Sequence, residues 1–207
     1  MTQLYLTTPD GLANEIALAD FASRLVAALD AVEVAALLLR HEEMEDQALA
    51  RVAKRLAPLA QERGVAVLVE DRTKVAAAVD GIHLSAAAGK SVSAVRQEIG
   101  PESMVGVDCG RSRHRAMKAG EAGADYVAFT LSQPLADNDL ELVAWWHEVT
   151  VVPLVVISEP DLEGAGRLAA AGADFLATGS AVWDHPEGPE KAVRALSQAL
   201  ALTARRC

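Results

Sequence analysis

The sequence predicts an α/β protein built as a (β/α)8 TIM barrel, and three observations carry that expectation. Eight short apolar runs of strand length alternate with helical stretches along the chain. Several runs, such as VAALLL at 34–39 and PLVVI at 153–157, are apolar at consecutive positions, which marks strands buried on both faces of a parallel sheet. The third is a recurring joint: AAAVDGIHL at 76–84, GEAGADYVAF at 120–129 and AAAGADFLAT at 169–178 each pass from small residues through an aspartate into a strand. The aspartates are Asp80, Asp125 and Asp174, at intervals of 45 and 49 residues, a spacing that fits two βα units each.

In order, Gln3 to Thr7 reads as the first strand, and Pro9 to Gly11 as a turn into a helix over Glu15 to Leu29. Ile16, Phe21, Leu25 and Leu29 give that helix an apolar stripe. Val34 to Leu39 is the second strand, ending in Arg40, His41, Glu42 and Glu43. A helix over Glu45 to Arg63, with Pro58 inside it, stops at Gly64. Val65 to Val69 and Gly81 to Leu84 are the next strands, separated by a short helix over Lys74 to Val79. Ser91 caps the following helix, and Met104 to Val107 is the fifth strand.

The alternation continues through a helix over Ser112 to Ala122, a strand over Asp125 to Phe129 and a helix over Leu140 to Glu148. Val151 to Ile157 follows as a strand, then Glu163 to Ala171 as a helix and Phe175 to Thr178 as the eighth strand. A final helix over Glu190 to Ala204 closes the chain. A single domain over 1–207 is expected, and a doubly wound sheet is disfavoured because no G-x-G-x-x-G follows the first strand.

Net charge is −10, from 29 acidic against 19 basic residues, which argues against a nucleic-acid or anionic-membrane surface. Two cysteines, Cys109 and Cys207, offer no disulfide framework. With neither a basic leader nor a run of 18 apolar residues, a cytoplasmic location is expected.

Chemistry in such barrels belongs to the C-terminal strand ends. Arg40 offers a planar bidentate donor for phosphate or pyrophosphate, or a surface ion pair with Glu42 or Glu43. Glu70 and Asp71 could hold Mg2+; otherwise Asp71 caps the next helix and pairs with Arg72 or Lys74. Asp108 could contact a ligand or metal-bound water, or cap the helix after it. Gly179 and Ser180 stand where backbone N–H groups can meet a phosphate, as an alternative to a simple tight turn. His83 lies within a strand, and its alternation decides whether it faces the barrel interior. Cys109 lacks a histidine partner for a nucleophilic role. Of the adjacent Trp145 and Trp146, only one can face the core squarely, and the other could mark a contact in a homo-oligomer.

Taken in order, LYLTT, LVEDRTKVAAAVDGIHLS, VGVDCG, AGADYVAFT, PLVVIS and AGADFLATGSAVW resemble thiamine phosphate synthase and the related thiazole tautomerases over nearly the whole chain. The resemblance implies a barrel of thiamine biosynthesis that takes a small phosphorylated heteroaromatic ligand. In the synthase a pyrimidine pyrophosphate loses pyrophosphate with Mg2+ assistance, and the nitrogen of a thiazole phosphate captures the cation. The family's Q-x-R-x-K falls on Leu38, Arg40 and Glu42, and its N-D on Glu70 and Asp71, so Arg40 would hold pyrophosphate and Asp71 would bind Mg2+. Its H-L-G-Q-x-D falls on His83 to Ala88, and the serine of its G-V-S on Asp108. Its flexible G-P-x-F-x-T-x-T-K loop is reduced here to Phe129 to Pro134. Its phosphate loop I-G-G-I becomes Ile157, Ser158, Glu159 and Pro160, whereas Gly179 and Ser180 keep the other half of that site.

The pattern implies a divergent member. A tautomerase-like proton shuttle would use Glu70, Asp108 or His83 as acid and base, and a third reading is an inactive barrel kept as a binding or assembly partner.

Overall fold

The computed structural model describes residues 1–40 and 44–203. Its strands are β1 (Gln3–Thr7), β2 (Val34–Leu39), β3 (Ala66–Glu70), β4 (Gly81–Leu84), β5 (Met104–Asp108), β6 (Tyr126–Thr130), β7 (Leu154–Ile157) and β8 (Phe175–Thr178). They pair in parallel in sequence order and close between β1 and β8 into a barrel. The helices are α1 (Glu15–Ala31), α2 (Asp46–Gln61), α3 (Thr73–Ala76), α4 (Val92–Ile99), α5 (Arg113–Glu121), α6 (Asp137–Val149), α7 (Leu162–Ala170), α8 (Ser180–Trp183) and α9 (Pro189–Thr203).

Strand alternation splits the apolar residues into two cores. Leu6, Leu37, Val69, Ile82, Phe129 and Leu176 face the helix layer and merge with its stripes. Tyr5, Leu38, Leu68, Tyr126, Ala128 and Val155 fill the barrel interior. The same period sends Arg40, Glu70, His83, Asp108 and Thr130 toward the axis at the C-terminal mouth.

The three joint aspartates share one job at the N-terminal end. Asp80 donates its backbone N–H to Val67 O at 2.8 Å and accepts the Val67 N–H on its carboxylate at 2.7 Å. Asp125 does the same with Val105 at 2.9 and 2.7 Å, and Asp174 with Leu154 at 3.1 and 2.9 Å. Each carboxylate thereby satisfies an N–H at the start of a strand and fixes the register of the next strand against it.

Some local expectations change. Ile16 is 82% exposed, and the buried face of α1 runs instead through Phe21, Ala22, Leu25, Ala28 and Leu29, because Asn14 caps the helix and turns its first residues outward. β7 begins at Leu154, not Val151, which is 99% exposed, and Pro153 has no N–H to give a strand ladder. Trp146 is the buried member of its pair and donates its indole N–H to Val152 O at 2.9 Å. Trp145 lies under the Arg113 guanidinium, 4.7 Å from its ring centre, so part of its face is already covered.

Candidate active site

The mouth is organised around a histidine. His83 is 2% exposed and faces the barrel axis, where its Nδ1 lies 2.8 Å from the Tyr126 hydroxyl. That hydroxyl lies 3.1 Å from the Tyr5 hydroxyl, which extends the polar chain across the interior. The Tyr126 ring can cross the barrel only because residue 106 is glycine: a Cβ there would sit 1.9 Å from Tyr126 Cζ. Burial pushes the His83 pKa down to about 4, against the attraction of Asp108 and Asp71, while Arg40 adds to the depression. His83 is therefore neutral at pH 7, and Arg40, Asp71 and Asp108, three of the charged groups named from the sequence, act on it. Burial likewise raises both tyrosine hydroxyls above their ordinary range.

Asp71 does not cap α3, and Arg72 and Lys74 turn to Asp46 instead. It sits in the left-handed region with φ 51° and accepts the Ser85 N–H at 2.8 Å and the Ser85 hydroxyl at 2.6 Å, one on each oxygen. A non-glycine residue in that region is held by its surroundings, here by the end of β4. Asp108 caps no helix either, because Ser112 caps α5. Its carboxylate accepts from Gly110 N at 2.8 Å and from the Thr130 hydroxyl at 2.9 Å, joining the β5 and β6 ends.

Arg40 donates its backbone N–H to the Thr8 hydroxyl at 3.0 Å, and Trp183 donates its indole N–H to Thr7 O at 2.6 Å. Adjacent residues of the β1 end thus link the end of β2 to α8. His41, Glu42 and Glu43 lie outside the described residues, and with them the suggested pairing of Arg40. Burial pushes the Cys109 thiol up to about 12, with Asp108 adding to the effect, so it is no nucleophile at neutral pH.

Among the described residues no group of three Asp, Glu, His or Cys side chains gathers as a metal site. Both Asp71 oxygens are engaged by Ser85, and alanine stands at 88, where the family pattern has a second carboxylate. This donor set does not fit a magnesium site built by the protein.

The β7–β8 corner departs most from expectation. The Gly179 and Ser180 N–H groups expected to face a phosphate are taken by Glu159, which stands where the family pattern has a glycine. Its Oε1 accepts from Gly179 N at 2.7 Å and Ser180 N at 3.3 Å. Its Oε2 accepts from the Thr178 hydroxyl at 2.6 Å and Ala181 N at 2.8 Å.

A sizeable cavity lies elsewhere. It measures about 550 Å³ and opens at the N-terminal end of the barrel, lined by Gln3, Ala66, Met104, Tyr126 and Phe175 among others. Its lining is mostly apolar strand starts, whereas the charged groups gather at the opposite mouth, the end where barrel chemistry sits.

Residues 4–182 match the family model described as thiamine monophosphate synthase. The chain belongs to that family. A thiamine-phosphate synthase of Rhodospirillum centenum is 42% identical over 199 residues, covering 92% of this chain and 94% of the relative. One from Hyphomonas neptunium is 39% identical, covering 95% and 92%. Among solved structures, thiamine phosphate pyrophosphorylase from Pyrococcus furiosus superposes with a TM-score of 0.82 at 24% identity, covering 97% of this chain and 96% of that one, a likeness of fold. Family membership, the barrel and a place in thiamine biosynthesis are thus common to this chain and its relatives. Among the described residues no helix is long and apolar enough to cross a membrane.

Proposed function

We propose that this chain is a divergent family member that takes a phosphorylated pyrimidine against Arg40 and a thiazole against the β7–β8 corner. The observation that carries this reading is that Arg40, Asp71 and Asp108 stand at neighbouring strand ends around the buried His83, at one barrel mouth. In it the Arg40 fork grips the anionic tail of the pyrimidine. Asp71 positions Ser85 beside the ring, and Asp108 presents a carboxylate edge already ordered by Gly110 and Thr130. Gly179 and Ser180 frame the thiazole side. A preordered polar rim of this kind supplies orientation, which is most of what joining two heteroaromatic substrates requires.

One observation favours a second reading, a tautomerase-like isomerase. A neutral imidazole with one nitrogen on the Tyr126 hydroxyl can accept or return a proton through the other. Purified protein given the pyrimidine pyrophosphate and the thiazole, as phosphate and as free alcohol, separates the two. Pyrophosphate release that requires the thiazole is expected under the first reading. Deuterium uptake from solvent into the thiazole without pyrophosphate release would replace it with the second, and neither outcome would contradict both.

A further inference from the structure

A phosphate seated at the β7–β8 corner would need the donors that Glu159 already fills. Its carboxylate collects one hydroxyl and three backbone N–H groups from the consecutive residues Thr178 to Ala181, the kind of converging donor set that an anion seeks.

The arrangement is built in from both sides. Before Glu159, Ser158 is 4% exposed, donates its N–H to Ala177 O at 3.0 Å and its hydroxyl to Leu131 O at 3.2 Å, and accepts from the Gln133 amide at 2.8 Å. After it comes the buried Pro160, whose ring fixes the backbone. On the receiving side, Trp183 ties α8 to Thr7, and Gly179 packs so closely that a Cβ would lie 2.4 Å from the Thr7 hydroxyl oxygen. The carboxylate and its donors are thus both held in place before any ligand arrives.

We infer that Glu159 is a specificity residue: it stands in for a ligand phosphate at this corner, so the thiazole partner bound there is the uncharged alcohol and not its phosphate ester. This rests on the reading that the corner is the thiazole side of the mouth. A phosphate would have to break the carboxylate's hydrogen bonds and then lie against a negative charge in the same space. The free alcohol brings no charge, and its hydroxyl can donate to the carboxylate where an ester cannot.

Titrations of the wild-type protein, Glu159→Gln and Glu159→Ala with thiazole alcohol, thiazole phosphate and inorganic phosphate test the inference. The glutamine variant keeps size and an acceptor oxygen, so it guards against an effect of unfolding alone. Wild type is expected to bind the alcohol roughly 10-fold or more tightly than the phosphate ester, and both variants to narrow or invert that ratio. Inorganic phosphate should raise the melting temperature of Glu159→Ala and leave wild type unmoved. A wild type that prefers the phosphate ester, or a preference unchanged in both variants, would overturn the inference. If pyrimidine pyrophosphate binds and neither thiazole does, the inference falls and the Arg40 reading survives. If no heteroaromatic ligand binds, the reading of the mouth falls with it, even where Glu159→Ala gains phosphate.

Discussion

Asp125 holds Val105 at both ends of its peptide hydrogen-bonding capacity, donating to its carbonyl and accepting its N–H, across a gap of 20 residues in sequence. Arg96 adds a 2.7 Å contact to the same carboxylate oxygen. Asp125→Ala would leave a strand-end N–H without its acceptor, and a loss of about 1–3 kcal/mol is expected in urea unfolding. Asp125→Asn keeps an acceptor oxygen and should lose less; equal losses would show that the Arg96 charge pair, and not the strand N–H, is what matters.

Gly106 and Tyr126 make a second pair that can be tested. Gly106→Ala places a methyl group inside the space of the tyrosine ring, so the ring must leave the axis. A destabilisation of about 3 kcal/mol is expected, with a change in the near-ultraviolet circular dichroism. A stable variant with an unchanged spectrum would mean that the barrel interior is looser than described.

His83 links stability to pH. Its folded-state pKa of about 4 lies below the ordinary 6.5, so between those values the unfolded chain holds a proton that the folded chain lacks. Its contribution is therefore present above pH 6.5 and lost as pH falls toward 4, by about 3 kcal/mol in all. Unfolding free energies at pH 7.5 and pH 4.5 should fall further for wild type than for His83→Gln. Parallel losses would place the acid sensitivity in the carboxylates alone.

Magnesium gives a simple contrast. Both oxygens of Asp71 are committed to Ser85, so millimolar Mg2+ without substrate should leave the melting temperature unchanged. A shift of several degrees that disappears in Asp71→Asn would show that Ser85 yields its place to the ion.

The barrel was legible because its signals are local. Continuous apolar runs, glycine stops and the three joint aspartates repeat in the order in which the strands pair, and parallel βα units leave few other topologies. The side that His83 faces stayed open in the sequence, and the strand register of the barrel turns it to the axis. What could not be read was where each carboxylate would spend its oxygens. The Asp71–Ser85 and Asp108–Thr130 bonds join residues 14 and 22 apart on neighbouring strand ends, and no sequence period encodes them. Glu159 was visible only as a departure from a glycine loop. Its role appears once the closure of the barrel brings the β7 and β8 ends together. Ile16 misled for a physical reason: apolar spacing places a residue on a stripe, but the Asn14 cap sets where the helix begins to face the core.

On the proposed reading the C-terminal mouth holds an anionic pyrimidine through Arg40. Calorimetric titration of pyrimidine pyrophosphate into wild type and Arg40→Ala tests it most directly. Saturable binding is expected, weakened about 10- to 100-fold in the variant, as befits loss of one charge-assisted contact. No binding by wild type, or equal affinity in both proteins, would contradict it.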